Sequence, residues 1–210
     1  YLVEKEEEHG VLQGYKKTVF FVLLLSVLLF VLRDFWGMYT ERLTEMIGQG
    51  LIDRYIVARY ISLIGAILLG VIYFLFYYYA VTYIISIITD IPFKRIQKVQ
   101  IYVIPTLLLF NFLEFIIFSI IQFVPLFSPF SIAAIVAQFT PNLWVLYFFN
   151  QIACSTVITI MIHYTFLAQW IDEGRKSLLI KLIGVQIFLA ATVATFSTLP
   201  FIEWIERGLS

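Results

Sequence analysis

The sequence predicts an all-α integral membrane protein: five transmembrane helices with an amphipathic helical loop between the first two. Three observations predict it. Apolar residues make up 61% of the chain and charged residues 13%, against roughly 45–50% and about 25% in soluble domains. That leaves too little polar surface to cover a soluble body of this size. The apolar residues are gathered into long runs, one of which (Tyr60–Thr89) carries no charge at all. Polar connectors separate the runs, at intervals suited to a hydrocarbon core of about 30 Å.

Residues 1–17 (YLVEKEEEHGVLQGYKK) read as a cytosolic tail, with Glu6–Glu8 forming a solvated acidic patch. The chain opens on Tyr1 rather than Met, so a leading segment is expected before it. The rest, 18–207, reads as a single five-helix domain with spans at about 18–36, 60–89, 101–124, 143–171 and 182–202. The first span is Leu/Val-rich and short, extended by snorkelling Lys17 and Arg33. It is expected to be a plain lipid-facing anchor, and it is no cleavable signal, because four more apolar runs follow.

Residues 37–59 form the longest polar connection. Leu43, Met46, Ile47, Leu51, Ile52, Tyr55 and Ile56 recur at helical spacing, while Gly48 and Gly50 weaken the centre. One or two short amphipathic helices are expected, lying on the membrane or on a partner; Leu43, Ile47, Leu51 and Arg54 are the candidate partner-docking residues. In the second span Ser62, Ala66 and Gly70 fall four apart, a small-residue face that admits another helix at close range. Tyr77, Tyr78, Tyr79 and Tyr83 crowd its second half, as suits an interface where rings are buried and hydroxyls wet.

Pro92 stops that helix, and the basic connector Lys94, Arg95, Lys98 leads into the third span, with Pro105 expected in its first turns. Residues 125–142 have no charge but three prolines, so they cannot form one span. Residues 131–138 are expected as a short helix dipping back into the bilayer or packed on protein, since bare backbone is not tolerated in lipid. Trp144 and Trp170 bracket the fourth span as interface anchors.

Orientation follows from the cations beside the spans. The tail, the 90–100 connector and the 172–181 turn carry Lys5, Lys16, Lys17, Lys94, Arg95, Lys98, Arg175, Lys176 and Lys181; the opposite side carries Arg33, Arg42, Arg54, Arg59 and Arg207. The N-terminus is therefore expected inside and the C-terminus outside.

The connector PFKRIQKVQIYVIPTLLL, following a helix that ends at a polar turn, resembles the central signature of the Yip family of five-span membrane proteins. Phe93, Tyr102 and Pro105 carry that resemblance. The chain lacks the acidic-aromatic cytosolic motif and the long Pro/Gly-rich tail of the eukaryotic trafficking members, and is closer to the bacterial branch. The resemblance implies an accessory protein in a bacterial plasma membrane, working beside ABC-type transporter subunits of an efflux complex that resists a peptide toxin.

The polar residues expected inside the bilayer form two stripes. Asn111, Glu114 and Gln122 lie on the third span; Gln151, Ser155, Thr156, Thr159 and His163 lie on the fourth, with Asn150 adjoining. Glu114 is placed near mid-bilayer, where an acid is costly and faces the bundle interior or water. Depth favours Ser155 or Thr156 over His163 as its partner, and helix–helix adhesion as its role, with proton or substrate handling as the sharper alternative. On the fifth span Gly184, Ala191, Ala194 or Thr195, and Thr198 make a small-residue face for a helix of this chain or of another copy.

Other classes are disfavoured. A net charge of zero offers no basic stripe for nucleic acid. There is no phosphate-binding Gly-rich loop and no metal-ligand cluster, so no cofactor or metal is expected. Ser155 and His163 are two helical turns apart, too far for a nucleophile–base pair, and no enzyme is expected. The lone Cys154 cannot form an internal disulfide. A scaffold, with a small transporter or channel using Glu114 as the alternative, is the expected function.

Overall fold

A computed structural model describes residues 2–38, 41–122, 124, 126–171 and 174–199. Arg207, Asp172 and Glu173, and the expected end of the fifth span at 200–202, lie outside the described residues. Among the described residues every regular element is a helix, and the one sheet-like feature is an isolated antiparallel bridge. The chain divides into two compact units, Tyr1–Val124 and Pro125–Ser210. Four helical stretches are long and apolar enough to cross a membrane: Gly14–Phe35, Ile52–Thr89, Phe93–Ile121 and Arg175–Thr198.

In the first unit, α1 (Leu2–Phe35) is followed by α2 (Glu41–Gly48), the amphipathic helix expected of the loop. Gly37 closes α1 at φ 92°, a backbone conformation that costs a side-chain-bearing residue. Its N–H bonds the Asp34 carbonyl, and the Met38 N–H bonds the Arg33 carbonyl, so the last turn is satisfied by the chain that leaves it. After α2 the chain enters α3 (Ile52–Leu75) directly, so Asp53, Arg54 and Arg59 sit in its first turns rather than in a loop. A π-helical turn (Phe76–Val81) carries Tyr77, Tyr78 and Tyr79 and passes into α4 (Thr82–Thr89). Asp90, left-handed at φ 58°, ends α4, and Pro92 caps α5 (Phe93–Ile121).

The first helix corrects one expectation: α1 is not a plain anchor, because one face packs along α3 and α5 while Phe20, Phe21, Leu24 and Leu28 stay exposed on the other. The predicted small-residue face explains why. Ala66 and Gly70 are buried, and a Cβ on Gly70 would stand only 2.7 Å from the Val27 Cα. At that range the Ser26 hydroxyl donates to the Gly70 carbonyl at 2.8 Å. Val22, Leu29, Phe74, Tyr78, Ile104 and Leu108 then close a core between the three helices. A second correction concerns Pro105. Because α5 starts at Phe93 rather than 101, the proline lies inside the helix, where it leaves the Ile101 carbonyl without its usual N–H.

In the second unit the expected fourth span is interrupted. Helix α7 (Leu143–Asn150) and helix α8 (Cys154–Leu167) are separated by Gln151–Ala153, with Ala153 extended at φ −117°, ψ 169°. Neighbouring chain covers the opened backbone. The Cys154 N–H bonds the Phe130 carbonyl at 3.1 Å, and the Ile132 N–H bonds the Ile152 carbonyl at 3.3 Å. The expected short helix is α6 (Ala133–Val136), packed on α7, with Ala133 buried. A 3₁₀ turn (Ala168–Trp170) ends α8, and α9 (Arg175–Thr198) packs along both α7 and α8.

Gly70→Ala is expected to destabilise the protein by about 1–3 kcal/mol through overpacking, against an intrinsic helix gain of up to about 1 kcal/mol. Gly65 on the same helix has open space around its Cβ position. Gly65→Ala is therefore expected to be neutral or stabilising. Thermal unfolding in detergent decides it, and equal effects at the two positions would contradict the close approach.

Candidate functional site

The densest polar cluster in the first unit is built from residues that the sequence assigns to its boundaries. Arg33 and Asp34, in the last turn of α1, are buried. The Arg33 guanidinium donates from Nη1 to Asn111 Oδ1 of α5 at 2.7 Å, so it turns inward and does not snorkel. Asn111 Nδ2 in turn donates to the Leu107 carbonyl at 3.0 Å and to the Tyr73 hydroxyl of α3 at 3.4 Å. The Tyr73 ring packs between Phe30 and Tyr77, at 5.3 and 4.9 Å between centroids.

Asp34 faces α3. The Ser62 hydroxyl donates to Asp34 Oδ1, and Arg59 Nη1 lies 3.5 Å from Asp34 Oδ2. Arg59 also donates to the Asp34 carbonyl at 3.2 Å and to the Phe35 carbonyl at 3.5 Å. A cation on the last carbonyls of a helix answers both the orphan acceptors and the negative end of the helix dipole. Three helices are thereby tied at one end of the unit by groups too polar to be left bare in an apolar surround.

Glu114 lies on α5 one turn beyond Asn111, half-buried. Its depth differs from the expected one. Arg33 reaches Asn111, and the Trp36 ring lies 6.4 Å from that of Phe115. Glu114 falls between those two contacts, level with the end of α1 and not at the middle of the bundle. Starting the helix at 101 rather than 93 produced the mid-bilayer placement. Gln122 does not continue the stripe: α5 ends at Ile121, and Gln122 is exposed and left-handed at φ 56°, closing the helix through its N–H to the Phe118 carbonyl.

The remaining stripe belongs to the second unit. Gln151 lies in the break, so it shares no helix with Ser155, Thr159 and His163. Its carbonyl accepts from the Thr156 hydroxyl. Asn150 Oδ1 accepts from the Ser128 N–H at 2.8 Å and the Ser131 hydroxyl at 3.0 Å, pinning the 126–132 segment to the break. Ser155 is half-buried, while Thr159 and His163 are buried on one face of α8 with Leu167. His163 Nδ1 is 3.0 Å from the Thr159 carbonyl; a carbonyl only accepts, so the proton sits on Nδ1. Of the docking candidates on the first unit, Leu43 is half-buried and Ile47, Leu51 and Arg54 are exposed.

The residues that sequence reasoning missed are Arg33, Asp34, Arg59, Ser62 and Tyr73. One signal was present: an Arg–Asp pair directly at the end of an apolar run, where a lone snorkelling cation would need no acid beside it. No group of three or more His, Cys, Asp or Glu among the described residues could hold a metal ion. Comparison with protein families, curated proteins and solved structures found no match to this chain.

Removing one partner of a buried ion pair leaves the other charge stranded, at a cost of about 3–5 kcal/mol. Asp34→Ala is expected to fall in the lower part of that range, because Arg59 is partly solvated. The double variant Asp34→Ala/Arg59→Met should recover much of the loss. A double-mutant cycle on unfolding in detergent measures the coupling, and strictly additive losses would contradict the pairing.

Proposed function

We propose that the chain is a non-enzymatic, multi-pass scaffold of Yip type in a bacterial plasma membrane, where it assembles or regulates a partner ABC-type efflux complex. The observation that carries a scaffold role is the use made of the buried polar side chains of the first unit. Arg33, Asp34, Arg59, Ser62 and Asn111 each bond another helix, which builds a rigid body. The resemblance of the 92–109 segment supports the family and, through it, the efflux partner and toxin resistance. The exposed Ile47, Leu51 and Arg54 beside α2 supply a docking surface at the outer side.

The four long apolar helices support multiple crossings. We count α7 and α8 as one interrupted fifth crossing. Trp144 Nε1, at the start of α7, donates to Thr195 Oγ1, near the end of α9, at 3.1 Å. Both α7 and α8 pack on the single helix α9, so they run end to end beside it. Five crossings with the basic connectors inside put the N-terminus in the cytosol and the C-terminus outside. A second reading, a small transporter or channel acting as an oligomer, is favoured by one observation: Glu114 is half-buried rather than sealed.

Pull-down of the tagged protein from native membranes is expected to bring ABC-type transporter subunits; recovery of the chain with none would overturn the efflux reading. In reconstituted vesicles Glu114→Gln is expected to leave ion flux at the background of empty vesicles, as in the parent. A proton-coupled flux that the substitution abolishes, in a protein that remains folded, would establish the transporter reading instead. A reporter fused after Ser210 is expected to read outside, and a cytosolic signal would reverse the topology.

A further inference from the structure

Helices α1 and α5 run parallel. Arg33 meets Asn111 and Trp36 meets Phe115, so partners on α5 are numbered 78 to 79 ahead of those on α1. Toward the other end Val22 shares a core with Ile104, and Val19 and Ile101 pack against it, so the helices stay side by side while the offset widens to 82. Carried one further turn, the two offsets set Lys16 and Lys17 level with residues 94–99. Lys16, Lys17, Lys94, Arg95 and Lys98 are all exposed. Two clusters far apart in sequence are thus brought to one level of the same bundle.

Aromatic groups stand beside this cationic level. The Tyr15 hydroxyl lies 2.9 Å from that of Tyr78, joining α1 to the π-helical turn just there. About one turn toward the apolar body Tyr102 is exposed, and Tyr79 and Tyr83 are exposed on the neighbouring helix. Tyrosines of this kind settle at the headgroup level of a bilayer. Asp90, exposed at the α4–α5 turn, is the acid nearest in sequence to the connector.

We infer that Lys16, Lys17, Lys94 and Lys98 form a collar that binds the phosphate headgroups of anionic phospholipids in the leaflet facing this end of α1 and α5. Juxtamembrane lysines at a headgroup surface attract anionic lipid by charge, screened within a Debye length. The collar rests on the reading that these helices cross a bilayer, and it gives the inside end of the bundle a preferred lipid.

The test reconstitutes the full chain in vesicles of phosphatidylcholine mixed with phosphatidylglycerol and counts lipids retained on extraction by native mass spectrometry. Phosphatidylglycerol is expected to be enriched at least about fivefold at low salt, equivalent to roughly one lysine's attraction. The variant K16Q/K17Q/K94Q/K98Q should lose the enrichment, the four-arginine equivalent should keep it, and Asp53→Asn at the opposite end should not change it. Equal retention of the two lipids, or enrichment that survives all four Gln substitutions, would overturn the collar. Should the Gln variant not fold, the parent decides alone: enrichment unchanged in 1 M salt, where screening acts within about 3 Å, would equally overturn it. Alkaline carbonate extraction separates the two premises. A chain released from vesicles would defeat the membrane-spanning reading, whereas a chain retained without lipid preference would defeat only the collar.

Discussion

The backbone approach of α1 to α3 at Gly70 is the constraint on which the first unit depends. With no side chain at Gly70, the Val27 backbone comes near enough for Ser26 to bond across the interface. That contact sets the antiparallel register of the hairpin. Moving out along it from Ser26 and Gly70 leads to Asp34 beside Ser62, and moving the other way leads to Tyr15 beside Tyr78. In an apolar surround there is no hydrophobic drive to bring helices together, so close packing and interhelical hydrogen bonds set the geometry. Helix α5 then fills the groove, and Ile104 and Leu108 complete the core.

The register also explains how charged groups survive inside. A buried arginine or aspartate alone would carry a desolvation cost of several kcal/mol. Here each is placed where backbone and side chains already lack partners. Arg59 covers the carbonyls that the end of α1 leaves open, while its charge faces Asp34. Arg33 turns the other way and bonds Asn111. Adjacent residues on a helix point about 100° apart, so an Arg–Asp dipeptide can serve two neighbouring helices at once. Such a cluster stabilises one arrangement of three helices and penalises others, which is the property a scaffold requires.

Much of this was legible in the sequence, and the parts that were not share a cause. The small-residue face at Ser62, Ala66 and Gly70 could be read because its period is that of the helix. The helix stops near Gly37, Gly50 and Pro92 follow from local backbone chemistry. What could not be read was direction. A cation at the end of an apolar run can reach out to water or in to a neighbour, and only the neighbour's register decides; Arg33 goes in. Depth failed for a related reason. The connector from Phe93 to Gln100 is polar on one face, yet Ile96, Val99 and Gln100 are buried, so the helix begins eight residues earlier than the apolar run does. That shift moves Pro105 into the helix interior and Glu114 toward its end. The interruption at Gln151–Ala153 left no proline or glycine to announce it. It is held by long-range partners at Ser128, Phe130, Ser131 and Ile132, which a local reading of residues 143–171 does not contain.

The two ends of the first unit now differ in kind. At the end formed by Arg33, Asp34 and Arg59 the polar groups are answered inside the bundle, Arg59 by Asp34 and Arg33 by Asn111. At the other end Lys16, Lys17, Lys94 and Lys98 turn outward. In the folded protein a cation already facing an acid and helix carbonyls adds little to the field outside, whereas exposed lysines act on whatever lies beside them over about a Debye length. Counting cations by sequence gives every Arg and Lys the same weight. Weighting them by where their charge is felt lowers the share of Arg59, which faces Asp34, and leaves the exposed lysines untouched. The asymmetry of exposed positive charge between the two ends is therefore steeper in the folded unit than in the bare sequence. It arises from the same register, set at Gly70, that pairs the ionic groups at the opposite end.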